Sequence, residues 1–110
     1  FLLTHWVRDR AGERFDLPTA VYMLSAKATR AVGLTDRGSL HPGAKADLNI
    51  IDLDNLQLHL PEIVHDLPAG GRRLHQRATG YDATIVSGTV IRRHGVSTGA
   101  YPGKLVRSAA

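Results

Sequence analysis

The hydrophobic periodicity of this chain changes near residue 34, and that change limits what it can fold into more than any other feature. Before it, apolar residues recur at helical spacing. Leu2, Leu3, Trp6 and Val7, followed by Arg8, Asp9 and Arg10, predict an amphipathic helix over residues 1–10, ended by Gly12. Asp16 is a good N-cap, and Pro18 falls in the first turn, where a missing N–H costs no intrahelical bond, so a second helix is expected over residues 17–24. Ser25 can cap a third short helix carrying Ala28, Ala31 and Val32 and closed by Gly33. After residue 34, Leu40 and then Leu48, Ile50 and Leu53 alternate with polar residues as in a half-buried strand. The expected fold class is α+β, with a helical part over residues 1–34 and a β-rich part over residues 35–110.

Within the β-rich part, Pro42-Gly43 predicts a tight turn between a short strand at residues 38–40 and a longer one at residues 46–52. Residues 81–86, the turn Ser87-Gly88, residues 89–93 and the turn His94-Gly95 form the clearest hairpin, rich in Val, Ile and Thr. Residues 55–80 hold no sustained period and contain Pro61, Pro68, Gly70, Gly71 and Gly80, which predicts a long connection with one helical turn near residues 60–64. Four to five strands are expected in all. No Gly/Ser-rich linker separates the two parts, so both are expected to share one surface.

Fourteen Lys+Arg against ten Asp+Glu give a formal charge of +4, carried mainly by arginine, which raises the question of an anionic partner. The basic residues are scattered, and no aromatic side chains interleave with Arg72-Arg73 or Arg92-Arg93 as a single-strand-binding surface requires, so no nucleic-acid partner is expected. No apolar run approaches the roughly 18 residues of a membrane helix, and Phe1-Leu2-Leu3 is too short for a signal-peptide core. A cytoplasmic location without membrane contact is expected. The chain has no cysteine, which excludes disulfides, thiolate zinc sites and cysteine nucleophiles. It opens at Phe1 without a methionine and inside an amphipathic pattern, so a piece of a longer protein is expected.

The six histidines, His5, His41, His59, His65, His75 and His94, form neither His-x-His nor His-Glu-x-x-His. His59 and His65, with Glu62 and Asp66 between and beside them, are the best cluster for zinc. The expectation is nevertheless solvated loop side chains and no metal ligands in this segment. With only Glu13 and Glu62 as glutamates, a paired-carboxylate acid and base is not expected, and Asp52 and Asp54 read as strand-end solvation. The serines, Ser108 included, lack any Gly-x-Ser-x-Gly context, so no catalytic residue is assigned. Asp47 reads as structural, its carboxylate accepting backbone N–H groups at the entrance to its strand. Gly70-Gly71-Arg72-Arg73 is only loosely an anion-binding nest, since neither a helix nor Lys-Ser/Thr follows.

Three stretches carry a family resemblance: Gly38, Leu40, Gly43, Ala46 and Asp47 before an apolar strand; the hairpin turning at Gly88; and Thr98-Gly99-Ala100-Tyr101-Pro102-Gly103 near the end. With the helices before them, they resemble the C-terminus of N-acyl-D-amino-acid deacylases in the amidohydrolase superfamily. The hairpin departs from that pattern, having Ser87-Gly88 where Asn-Gly is usual, and serine fits a positive-φ turn position less well. The resemblance implies a parent with a (β/α)8 barrel, a TIM barrel, whose last helices would be residues 1–34. Residues 35–110 would then belong to a small composite β-sandwich.

It also implies a zinc-dependent parent that hydrolyses N-acyl bonds with metal-activated water, its metal ligands lying upstream of Phe1 and its sandwich completed by strands of the same enzyme. The segment alone is then expected to be inactive, to bind no zinc, and to self-associate through an unpaired sheet edge. In the parent, a loop beside the barrel mouth would let Arg72 or Arg73 bind the substrate carboxylate. The alternative is a freestanding small basic binding module that shares only the turn motifs.

Overall fold

The computed structural model describes residues 1–107; the last three residues of the expected β-rich part, with Ser108, lie outside the described residues. The order of elements is a π-helix (Leu2–Asp9), α1 (Leu17–Leu24), α2 (Ala26–Ala31), β1 (Leu48–Ile51), β2 (Gln57–Leu58), β3 (Glu62–Leu67), a 3-10 turn (Pro68–Gly70), β4 (Gly71–His75), β5 (Ala78–Thr79), β6 (Tyr81–Val86), β7 (Thr89–Arg93) and β8 (Val96–Ser97). The molecule is α+β with a small sheet-rich part, as the change of periodicity predicts.

The first helix forms where expected but is wound one residue wider, its closing bond running from the Arg10 N–H to the His5 carbonyl at 2.9 Å. Leu2, Leu3 and Val7 turn to the core. Trp6 instead stays beside Arg10, whose guanidinium lies 4.3 Å from its ring centre, and Phe15. Asp16 caps α1 by accepting the Thr19 N–H at 2.9 Å, which holds its carboxyl below the ordinary range. Ser25 stands at the N-cap of α2 without bonding it, because its hydroxyl donates back to the Val21 carbonyl at 2.6 Å. At the other end of α2, the Leu34 N–H reaches the Thr29 carbonyl and the Gly33 N–H reaches that of Arg30, the paired bonds of a Schellman ending.

β1, β6, β7 and β8 form one antiparallel sheet in that order, with Leu48 opposite Ile85 and Val86 opposite Thr89. The β6–β7 hairpin has the expected limits. Several expectations fail, the count of four to five strands among them, since the described residues form eight. Residues 38–40 form no strand, because the chain bends there around the end of α2. Residues 55–80 are not a long irregular connection, and residues 60–64 contain no helical turn. β3 pairs with β4, and β2 with β5, making an arm of two small antiparallel ladders. The alternation was hidden because β3 carries His65 and Asp66 beside its apolar residues and β4 carries two arginines.

The core is Leu3 of the π-helix, Ala20 of α1 and Leu56, with Leu2, Val7, Ile51, Leu53 and Tyr81 packed against it. It is small. Leu40, Leu60, Leu74 and Tyr101 are each more than 70 % exposed. The radius of gyration, 16.3 Å, exceeds the about 13 Å of a close-packed domain of this length.

Candidate functional site

The sequence offers two constellations, and the fold assembles one while dispersing the other. The first is the strap of residues 36–47 with the β6–β7 turn. The Lys45 N–H donates to the Asp36 carbonyl at 2.7 Å and closes the strap into a loop. At its tip the Ala44 N–H reaches the His41 carbonyl at 3.1 Å across Pro42 and a positive-φ Gly43, the pattern of a type II turn. Leu40 points outward, 84 % exposed. Gly38 passes so close to α2 that a Cβ there would stand 2.4 Å from Thr29 Oγ1 and 3.2 Å from Ala26 Cα.

Asp47 accepts a backbone N–H as expected, but the donor belongs to the hairpin turn rather than to its own strand entrance. Its Oδ1 takes the Ser87 N–H at 2.8 Å, while the neighbouring Ala46 carbonyl takes the Gly88 N–H at 2.9 Å. Oδ2 accepts from Arg37 Nη1 at 3.1 Å, and Arg37 also grips Asp36 through Nε and Nη2 at 2.9 and 3.0 Å. The Arg37 bond holds the Asp36 carboxyl below its ordinary range. Arg37 is the residue missed in the sequence. An adjacent Asp-Arg pair looks like any solvated ion pair, and nothing but the fold shows that its side chain is only 16 % exposed.

The second constellation is the arm. Arg72 and Arg73 are neighbours on β4, and their fates differ. Arg73 Nε and Nη2 engage both oxygens of Asp66 at 2.7 and 2.6 Å, and Nη1 lies 3.2 Å from His75 Nδ1. Arg72 makes no ion pair or side-chain hydrogen bond among the described residues. Glu62 pairs with Arg77 at 3.1 Å. Glu62 and His65 are three positions apart on an extended strand, about 10 Å along it, whereas the expected helical turn would have drawn this stretch together.

One cleft, of about 370 Å³, lies between the π-helix and β2 and brings His5 and His59 to a common wall with Arg8, Asp9 and Gln76. Its charged groups are already engaged. The Asp9 carboxylate is bound by Arg8, which holds its pKa down, and Arg8 Nη1 also donates to the Leu53 and Asp54 carbonyls. Asp52 closes its own turn by accepting from the Asn55 backbone N–H and side-chain amide, and its carboxyl is likewise lowered. Asp9, Asp16, Asp36, Asp52 and Asp66 are all held below the ordinary carboxylate range by the groups that bind them, so none of these five is poised to donate a proton.

In this α+β chain, with its strap and hairpin, residues 2–92 match the family described as Amidohydrolase family. The protein belongs to that family, which places it with hydrolases. The match takes in the helices, the strap, the arm and the hairpin, and stops before residues 98–103. No curated protein matches the chain, and no solved structure does.

Members of this family are often metal-dependent, but the donors of the described residues do not fit an ion. Among the described residues no three His, Asp or Glu side chains converge on one point, and Asp66 and Glu62, beside the histidines of the arm, are neutralised by arginine. No helix of the described residues is long and apolar enough to cross a membrane.

Proposed function

We propose that this chain is the non-catalytic C-terminal part of a cytoplasmic, zinc-dependent amidohydrolase that hydrolyses N-acyl-D-amino acids. Its helices 1–34 close a TIM barrel, and the remainder forms one side of a composite β-sandwich. Zinc, in this reading, is held by barrel residues outside the chain. The carrying observation is the family match over residues 2–92 on a chain where Asp9, Asp36, Asp47, Glu62 and Asp66 are bound by arginines and Asp16 and Asp52 by their own turns. The closing Thr-Gly-Ala-Tyr-Pro-Gly run supports the deacylase assignment. The small core and open apolar side chains support a structural partner, the rest of the same enzyme. Nucleic acid and membranes are not partners in this reading.

Arg72, rather than Arg73, is the substrate-binding candidate, because Arg73 is already neutralised by Asp66 while Arg72 pairs with no acid among the described residues. Replacing Arg72 by Ala in the full enzyme is expected to raise KM for the N-acyl amino acid at least tenfold with kcat little changed. An unchanged KM removes Arg72 from the site.

The decisive experiment compares the 110-residue chain with the full enzyme for zinc content and for release of free amino acid from N-acyl-D- and N-acyl-L-amino acids. Zinc and activity only in the full enzyme are expected, and either property in the short chain overturns the proposal. Alone, the short chain is expected to sediment as oligomers, and a monomer at high concentration counts against exposed sandwich edges.

A further inference from the structure

α2 is joined to the sheet by polar contacts rather than by the core. The core reaches α1 through Ala20, whereas no residue of α2 is buried. The strap supplies the connection. Thr29 Oγ1 lies 3.1 Å from the Ala26 carbonyl and 3.4 Å from the Arg37 carbonyl, Gly38 packs against the Thr29 side chain, and Arg37 runs on to Asp47. Asp47 in turn holds the Ser87 N–H.

We infer that Arg37 is a positioning residue that makes the C-terminal end of α2 and the β6–β7 turn one cooperative unit, acting on Ser87 through Asp47. Without Arg37 the Asp47 carboxylate loses the partner that aims it, and its χ angles are free to turn Oδ1 into water. Ser87 holds φ at 50°, a region unfavourable for a side-chain-bearing residue, so its turn depends on outside support. Gly38 completes the device, because any side chain there drives the strap off α2. This inference concerns the chain's own folding and stands independently of the proposed substrate.

Residue-resolved amide exchange on the intact chain tests it. The reporters are the Leu34 N–H bonded to Thr29, the Ser87 N–H bonded to Asp47, and the Gly88 N–H bonded to Ala46. The Asp52 N–H bonded to Gly80 is the control outside the unit. In Arg37→Met the three reporters are expected to speed up together by about tenfold while Asp52 stays unchanged. Asp47→Asn keeps an acceptor for Ser87 but weakens the bond to Arg37, and gives the same pattern at lower amplitude. Arg37→Lys keeps the charge and loses the fork, and serves as the readout if the Met variant fails to fold. Acceleration confined to Leu34, an unmoved Ser87, or equal acceleration of Asp52 overturns the inference.

Discussion

The β6–β7 and β3–β4 hairpins are built on the same antiparallel plan, and they are held in opposite ways. β6–β7 is flanked by β1 and β8, buries Ala83, and has its two-residue turn gripped by Ala46 and Asp47. β3 and β4 have only each other. Ile63 stands opposite Leu74 with both more than 60 % exposed, and the ladder is pinned by Arg73 on Asp66. The first hairpin takes its order from tertiary contacts, so it should fail when those contacts fail. The second depends on local charge, so it should answer to pH and salt while the core stays intact.

The sharpest way to break the first is at Gly80. Its φ is 91°, and a Cβ there would stand 2.6 Å from Leu56 Cα, 2.8 Å from Leu56 N and 3.0 Å from the Asp52 carbonyl oxygen. All three are backbone atoms that cannot swing away, so Gly80→Val should part β6 from the core and abolish cooperative thermal unfolding, for a loss above about 4 kcal/mol. Leu56→Ala removes a side chain only 5 % exposed and should cost about 2–4 kcal/mol in denaturant melts. Leu74→Ala on the arm, in a position 72 % exposed, should cost less than about 0.5 kcal/mol. Equal losses at Leu56 and Leu74 would erase the distinction between the hairpins.

How far each region could be read in the sequence follows the same division. α1, its Asp16 cap and the β6–β7 hairpin were legible because helical period, capping chemistry and a two-residue turn are local signals. The arm was not. Its turn at Pro68-Ala69-Gly70, with Ala69 at φ 57°, matches no short hairpin rule, and its strands face water on both sides, so no hydrophobic alternation marks them. In the candidate site, Asp47 and its glycines could be singled out, but Arg37 could not. Its role depends on Asp47 and Ser87 arriving beside it, and no spacing rule relates those positions.

Acid sharpens the contrast further. Arg73 holds the Asp66 carboxyl below its ordinary range, so the pair favours the folded arm fully above about pH 4, the unfolded value. That contribution disappears as pH falls through the lowered folded pKa and is absent once Asp66 is protonated in both states. Asp16 and Asp36 are lowered too, but they sit at α1 and in the strap, where Ala20 and Gly38 supply packing. Amide exchange between pH 5 and pH 2 should therefore show the hydrogen-bonded amides of the β3–β4 ladder losing protection before those of the β6–β7 ladder. Asp66→Asn should remove most of that pH dependence from the arm alone. Simultaneous loss in both hairpins would mean that the arm is supported by more than its ion pair.

A small effect is also expected at Ser87, and it runs in the stabilising direction. Asn tolerates the left-handed region better than Ser because its side chain can bond locally, so Ser87→Asn should relieve strain at φ 50° without disturbing the bond from the residue 87 N–H to Asp47. A gain of about 0.3–0.8 kcal/mol is expected in denaturant melts. The gain should be larger in an Asp47→Ala background, where the turn has lost the carboxylate that holds its residue 87 N–H and depends more on its own preference. A gain of the same size in both backgrounds would mean that the Asp47 bond contributes nothing to the turn, whose outside support would then be the Ala46 carbonyl alone.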